Sequence, residues 1–302
     1  YLFSPYSIER EYGVPFSYID ITKEYDNLVA NPNIRKTKIK ARDLENEISK
    51  LQQESGYPYV VNLDTANRAN PIDGKIIMSN LCSEILQVQQ PSILNGKQEF
   101  EVLGTDISCN LGSTNIVNLM ESPDFGKSVR VMTRALTYVT DASDIDVVPS
   151  IQNGNALSHT IGLGAMGLHT YFAKHHMAYG SKESIEFTDI YFMLLNYWTI
   201  YESMQIAKER KQTFHNFEKS KYADGSYFEK YVTGQFQPKS EKVKALFEGI
   251  FIPDGQAWAE LAQLVQKYGM YHQNRLAVAP NGSISYINDT SASLHPITRL
   301  IE

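Results

Sequence analysis

Residues 79–85 carry three polar, chemically capable side chains at alternate positions of a run whose other members are apolar or small. These side chains are Asn80, Cys82 and Glu84. Successive side chains of an extended strand point to opposite faces, so the alternation predicts a strand with all three on one face. A lone buried cysteine is most often part of a core, but a carboxylate buried beside it is unfavourable without a partner. The pattern therefore favours a catalytic role for these three residues over a role in core packing.

The rest of the chain alternates between helical and extended patterns. Amphipathic periodicity predicts helices over residues 39–55, 129–140, 163–174, 181–211 and 256–267, and short apolar runs predict strands over residues 59–63, 79–85 and 275–279. The aromatic-rich and lysine-rich segment between the last two helices is expected to be irregular, with short helices. Strands that alternate with helices indicate the α/β class. No linker separates two compositions, so one large domain is expected across the 302 residues.

Charge and cysteine usage exclude several classes of protein. The chain has 28 basic and 34 acidic residues, and its net charge of −6 disfavours a broad nucleic-acid-binding surface. It has no run of about 18 apolar residues that would span a membrane, and its first residues lack the pattern of a signal peptide. Its two cysteines stand 27 positions apart without a Cys-x-x-Cys motif, so neither a disulfide scaffold nor a cysteine-based metal site is expected. We expect a cytoplasmic location, where thiols stay reduced.

A Pro-Asn-Gly loop follows the last predicted strand. It comprises Pro280, Asn281, Gly282, Ser283, Ile284 and Ser285. Gly282 permits a close approach of the backbone, and Ser283 and Ser285 supply hydroxyl groups. Backbone N–H groups in such a loop favour a phosphate, above all where the loop opens a helix. Taken alone, a loop of this composition is more often a plain turn.

Gly162, Gly164 and Gly167 form a Gly-x-Gly-x-x-Gly string. A dinucleotide-binding loop needs a strand before such a string and an acidic residue at a fixed distance after it, and neither is predicted for this chain. We therefore interpret these glycines as sites of close packing.

Four segments, in this order, resemble the large (alpha) subunit of class I ribonucleotide reductases, and they resemble the class Ib type most. The segments are residues 79–85, 106–113, 155–169 and 279–285. Together they extend over most of the chain. Two positions depart from the usual family pattern, because Asn281 stands where Thr is common and Gly167 stands where a polar residue, often Asn, is usual.

The resemblance implies part of a ten-stranded α/β barrel, surrounded by helices, with the radical cysteine on an inner loop or strand. In this family a cysteine thiyl radical abstracts the ribose 3′ hydrogen, and by resemblance that cysteine is Cys82. Glu84 would be the general base for the 3′ hydroxyl, and Asn80 would hydrogen-bond the sugar. Cys109 would be one of two redox thiols. The loop of residues 280–285 would hold the substrate diphosphate.

The resemblance also implies partners. The substrate would be a ribonucleoside diphosphate, reduced to its 2′-deoxy form. This chain would bind no metal or other cofactor, since the radical would come from a metal-containing small (beta) subunit. An external dithiol, such as a thioredoxin-like or glutaredoxin-like protein, would supply electrons. Large subunits of this family are allosteric and form homodimers, and neither a nucleic acid nor a membrane is an expected partner.

Both ends of the chain look cut from something longer. We therefore expect residues 1–302 to form a partial catalytic barrel domain without the allosteric first half and the C-terminal radical relay. The family's reaction needs three active-site cysteines and this sequence has two, so the third is expected upstream and this polypeptide alone is not expected to turn over. Two alternatives stay open, a non-catalytic nucleotide-binding or partner-binding remnant of the same fold and a glycyl-radical-type reductase.

Overall fold

The computed structural model describes residues 1–298. The chain divides into two compact units, the first comprising residues 1–70 and 74–88, and the second comprising residues 71–73 and those from position 89 onward. None of the helices within the described residues combines the length and apolar character that a membrane-spanning segment needs.

The first unit is mostly helical. Its elements are β1 (Leu2–Phe3), α1 (Pro5–Tyr12), α2 (Ile21–Ala30), β2 (Lys36–Thr37), α3 (Ala41–Ser55) and α4 (Leu63–Ala69), and the two strands pair antiparallel. Ile8, Leu28 and Ile34 are buried together and form a core against which Phe3 and Tyr12 pack. Burial of each such aliphatic side chain contributes about 2 kcal/mol, so this small cluster holds the first two helices against the strands.

Two sequence predictions can be compared with this unit. The helix predicted over residues 39–55 is confirmed by α3, which ends where Gly56 adopts a left-handed backbone with φ 78°. The strand predicted over residues 59–63 is wrong, because α4 begins at Leu63 and the residues before it are irregular. Pro58 has no N–H group to give to a strand ladder, which weakens the strand alternative there.

The second unit contains the parallel strands and most of the helices. Its elements are the hairpin strands β3 (Ile93–Leu94) and β4 (Phe100–Val102), then β5 (Leu111–Asn115), α5 (Ile116–Met120), α6 (Phe125–Ala142), α7 (Pro149–Ser158), β6 (Gly162–Met166), α8 (Leu168–Lys174), α9 (Lys182–Arg210), α10 (Glu229–Thr233), α11 (Glu241–Leu246), α12 (Gly255–Tyr268) and α13 (Gly282–Ile287). Helices α6, α9 and α12 confirm three of the predicted helices. Across residues 1–298 the strands form three two-stranded pairs and no closed barrel.

A parallel arrangement organises the middle of this unit. Strands β5 and β6 pair in parallel along their whole length. On the other side of β6, the N–H of Leu163 donates to the carbonyl of Arg275 at 2.8 Å, and the N–H of Ala277 donates to the carbonyl of Leu163 at 3.2 Å. Three neighbouring segments therefore run in one direction, which is the pattern of the α/β class.

Glycines let these backbones approach closely. A Cβ atom on Gly164 would lie 2.2 Å from the carbonyl oxygen of Ala277, and one on Gly162 would lie 2.5 Å from Cδ2 of Leu111. Both distances are far inside van der Waals contact. The interpretation of these two glycines as sites of close packing is confirmed.

The helix predicted over residues 163–174 is wrong in its first half. Residues 162–166 form β6, and α8 begins only at Leu168. Gly167 separates the two elements with a left-handed φ of 85°, a conformation open to glycine and, among other residues, most readily to Asn. The left-handed backbone at this position thus suits glycine and also asparagine, the residue that the resemblance often places there.

We expect the Gly164→Ala variant to be destabilised by about 3 kcal/mol, because the added methyl group overlaps the carbonyl of Ala277 and forces the strands apart. Gly96→Ala is the matched control. A Cβ atom there meets nothing within 4 Å, so its effect should stay within about 0.5 kcal/mol. Urea unfolding measures both variants, and equal stabilities would contradict the close approach of the strands.

His272 is fully buried between α6 and α9. Its ring nitrogens lie 2.9 Å from Thr137 Oγ1 and 2.9 Å from Ser203 Oγ, one hydroxyl on each helix. Burial, with a smaller contribution from the positive charge of Arg275, holds the pKa of His272 well below its ordinary value. The neutral ring therefore joins the two helices through both nitrogens.

We expect the free energy of unfolding to fall as the pH drops below about 6.5, the ordinary pKa of histidine. Below that pH the unfolded chain binds a proton at position 272 and the folded chain does not. This difference lowers the free energy of unfolding by up to about 1.4 kcal/mol for each pH unit. The His272→Gln variant cannot titrate, although its amide can bond both hydroxyls, so its stability should fall less steeply.

Urea unfolding between about pH 7.5 and 5.5 measures the two slopes. Burial also lowers the pKa of His159. This histidine therefore makes the wild type and the variant alike less stable at low pH. Parallel stability curves for the wild type and the His272→Gln variant would show that the buried ring is not the source of the acid sensitivity.

Candidate active site

Residues 80–83 form a tight turn. The N–H of Ser83 donates to the carbonyl of Asn80 at 3.1 Å, and Ser83 has a left-handed φ of 65°. The Asn80 side chain closes the turn, since its Oδ1 accepts from the N–H of Ile85 at 3.0 Å. Short polar side chains compete in this way with strand ladders. The prediction that Asn80, Cys82 and Glu84 share one face of a strand is therefore wrong.

The turn presents Cys82 outward. Cys82 is exposed, and its neighbour Leu81 is 81% exposed. The expectation that the cysteine is buried is also wrong, because the central residues of a tight turn project away from the chain. An exposed thiol at the tip of a turn is open to a ligand.

Glu84 provides the second chemical group of this segment. It is half-buried, and its Oε2 atom is buried without a hydrogen-bond partner among residues 1–298. A buried carboxylate oxygen without a donor is unfavourable, so a ligand hydroxyl that donates to it would relieve this cost. Asn80, Cys82 and Glu84 all belong to the first unit, where the turn keeps them within five residues of each other.

Tyr59 is a neighbour of Cys82 that the sequence did not indicate. Its ring lies 5.0 Å from that of Tyr57, centroid to centroid. Repulsion from Tyr57, followed by desolvation and, to a smaller extent, repulsion from Cys82, raises the pKa of Tyr59. The phenol group of Tyr59 is therefore near enough to the exposed thiol to interact with it, although the two residues are 23 positions apart in the sequence.

In the second unit, Cys109 directly precedes the residues that lead into β5, and its side chain is exposed. The flanking residues are well anchored. Ser108 Oγ donates to Asn155 Oδ1 at 3.1 Å, and the carbonyl of Asn110 accepts from the N–H of Gly162 at 2.9 Å. The backbone on both sides of the thiol is thus tied to α7 and β6.

The loop of residues 280–285 opens the short helix α13. Two of its polar side chains point inward, because Asn281 donates to Ser113 Oγ at 2.7 Å and Ser285 donates to the carbonyl of Gly282 at 2.6 Å. Ser283 is exposed. The hydroxyl of Ser283 and the main-chain N–H groups are the donors that this loop keeps for a ligand.

The loop and β5 line a single cleft of about 350 Å³. Its walls are Leu111, Gly112 and Ser113 from the strand and residues 279–284 from the loop. The structure therefore brings the strand that follows Cys109 and the predicted phosphate loop to one place. Their separation in sequence gives no indication of this contact.

The whole chain, residues 1–302, matches the family model described as ribonucleotide reductase, barrel domain. It is 44% identical over 304 residues to the ribonucleoside-diphosphate reductase subunit alpha of Bacillus subtilis, covering 100% of this chain and 43% of that protein. It is 45% identical over 307 residues to the protein of the same name from Mycoplasma pneumoniae, covering 100% of this chain and 42% of the relative.

A more distant relative of the same name, from Helicobacter pylori, is 29% identical over 347 residues, covering 98% of this chain. The chain spans less than half the length of these curated relatives. The matches confirm the resemblance drawn from the four segments and support an α/β barrel as the fold class. The chain belongs to the ribonucleotide reductase barrel-domain family.

Proposed function

We propose that this chain is the central catalytic segment of the large subunit of a ribonucleoside-diphosphate reductase of the class Ib type. The reaction would convert ribonucleoside diphosphates to 2′-deoxyribonucleoside diphosphates, the precursors of DNA. The observation that carries the proposal is the cleft that β5, just beyond Cys109, shares with the loop of residues 279–284. In this proposal the strand that follows a redox thiol and the loop that holds the diphosphate form the walls of one ligand site, as reduction of a sugar diphosphate needs.

The first step is assigned to Cys82. Its sulfur radical takes the hydrogen atom from C3′ of the ribose, which forms an S–H bond and leaves a carbon radical. The two bonds are close enough in strength for the transfer to be reversible, so the same hydrogen can return at the end. The exposed position of Cys82 at the tip of its turn supports this role.

Glu84 and Asn80 are assigned to the sugar hydroxyls. Glu84 accepts the proton of the 3′ hydroxyl, which makes loss of the 2′ hydroxyl as water easier. Its buried Oε2 atom, without a partner in the described residues, supports this assignment. Asn80 uses Oδ1 within its own turn, so Nδ2 is the group we assign to the hydrogen bond with the sugar.

Cys109 is assigned to the reduction itself. With a second thiol it supplies two electrons and two protons and becomes a disulfide. One hydrogen goes to the 2′ carbon, and the other proton leaves with the 2′ hydroxyl as water. An external dithiol of the thioredoxin or glutaredoxin type then reduces the disulfide. We place the second thiol upstream of residues 1–302 in the full-length large subunit.

The loop of residues 280–285 is assigned to the diphosphate. The N–H groups of residues 282–284 and the hydroxyl of Ser283 would donate to its oxygens. Asn281 and Ser285 would contribute by shaping the loop, because their polar atoms are bonded within the protein.

The wider assembly follows from the family. We propose that residues 1–302 contribute part of a ten-stranded barrel whose radical originates on a separate, metal-containing small subunit. The relatives of this chain are named as alpha subunits, which supports a beta partner. A homodimer of large subunits, allosteric control by nucleotides and a cytoplasmic location complete the proposal.

We expect Cys82→Ser in the full-length large subunit, assayed with its small subunit and a dithiol, to abolish deoxyribonucleotide formation. An oxygen-centred radical at serine is not accessible at this step, because the O–H bond is much stronger than the S–H bond. Substrate binding should remain, since the exposed side chain does not support the surrounding fold. Product formation and equilibrium binding of a ribonucleoside diphosphate measure the two properties.

Leu81→Ala is the matched control, because Leu81 occupies the same turn, is more than four-fifths exposed and carries no reactive group. This variant should keep most of the activity. Turnover by Cys82→Ser would overturn the assignment. Nucleotide binding by a wild-type assembly that forms no product would instead favour the non-catalytic alternative.

A further inference from the structure

Asn281 stands where the loop meets β5, and it is only 6% exposed. Asparagine before a helix commonly caps it, but the Asn281 side chain makes no capping bond to α13. Its Nδ2 group donates to Ser113 Oγ, and its Oδ1 atom accepts from the N–H of Ser293, each at 2.7 Å. A buried amide with partners at both ends fixes the backbone around it.

The two partners hold the loop from different sides. Ser113 belongs to β5, and its neighbour Thr114 is tied to β6 because Thr114 Oγ1 donates to the carbonyl of Gly164 at 3.0 Å. Ser293 lies beyond α13, and its hydroxyl donates to the carbonyl of Ala279 at 3.4 Å. The start of the loop is therefore connected to the sheet and to the segment after the helix.

We propose that Asn281 is a positioning residue that sets the distance between the β5 wall of the cleft and the N–H groups of residues 282–284. The inference rests on the proposed function, in which those N–H groups hold the substrate diphosphate. Asn281 acts through the backbone and does not touch the substrate. An amide suits this task because it offers a donor and an acceptor about two ångströms apart, whereas one hydroxyl offers both on a single atom.

We expect Asn281→Ala in the full-length large subunit to weaken the binding of CDP on the order of tenfold, as two hydrogen bonds are lost and the loop is released. Binding of cytidine, which lacks phosphate groups, should stay unchanged. Isothermal titration calorimetry measures both affinities, and the melting temperature of the same samples shows whether the variant is folded. A selective loss of CDP affinity is the result that supports positioning of the phosphate site.

Two further variants sharpen the test. Ser113→Ala removes one of the two bonds, so its loss of CDP affinity should be smaller, and the double variant should bind CDP no more weakly than Asn281→Ala alone. Asn288→Ala is the matched control at the other end of α13, where Asn288 Nδ2 donates to the carbonyl of Ile284 at 2.8 Å. It should leave both affinities unchanged.

The outcomes separate this inference from the proposed function. A wild-type protein that binds CDP no tighter than cytidine overturns both. A wild-type preference for CDP that persists in Asn281→Ala overturns the inference alone, as does an equal loss of both affinities with a lower melting temperature. If Asn281→Ala fails to fold, Ser113→Ala decides, because retention of full CDP affinity there also overturns the inference.

Discussion

The second unit depends on main chains that approach more closely than any side chain would allow. At Gly164 and Gly162 a single added carbon would collide with the neighbouring segments on either side of β6. Strand β5 carries the residues that follow Cys109, and the segment on the other side of β6 leads into the loop of residues 280–285. The close spacing that these two glycines permit therefore sets the positions of both walls of the cleft. Side chains that face a ligand play no part in setting it.

Short polar side chains in both candidate segments shape the backbone. Asn80 closes its own turn through Oδ1, and Asn281 and Ser285 are bonded within the protein. The side-chain groups left outward are few, chiefly the thiol of Cys82 and the hydroxyl of Ser283. Because asparagine and serine compete so readily for nearby backbone groups, their abundance in a loop is a poor measure of how many contacts a ligand receives.

Much of the helical structure is predictable from the sequence, since α12 follows clear apolar periodicity and both α9 and α12 begin at capping residues, Ser181 and Asp254. Strand β6 is not predictable, because a fully buried strand of sequence Gly-Leu-Gly-Ala-Met shows neither an alternation of polar and apolar residues nor strand propensity. The turn at residues 80–83 follows the same alternation as a strand, and only its backbone distinguishes the two. Resemblance alone indicates the candidate site residues, whereas the pairing of Ser113 with Asn281 depends on the tertiary fold.

The bond between Ser113 and Asn281 joins residues 168 positions apart. Contacts of such separation form late, because closing a long loop is entropically unfavourable. During synthesis the first wall of the cleft leaves the ribosome well before the second. Residues 275–277 later cover one edge of β6. Until then this edge is unpaired and open to pairing with other chains. The architecture that assembles this cleft therefore also leaves the nascent chain vulnerable to aggregation until residues 275–277 dock against β6.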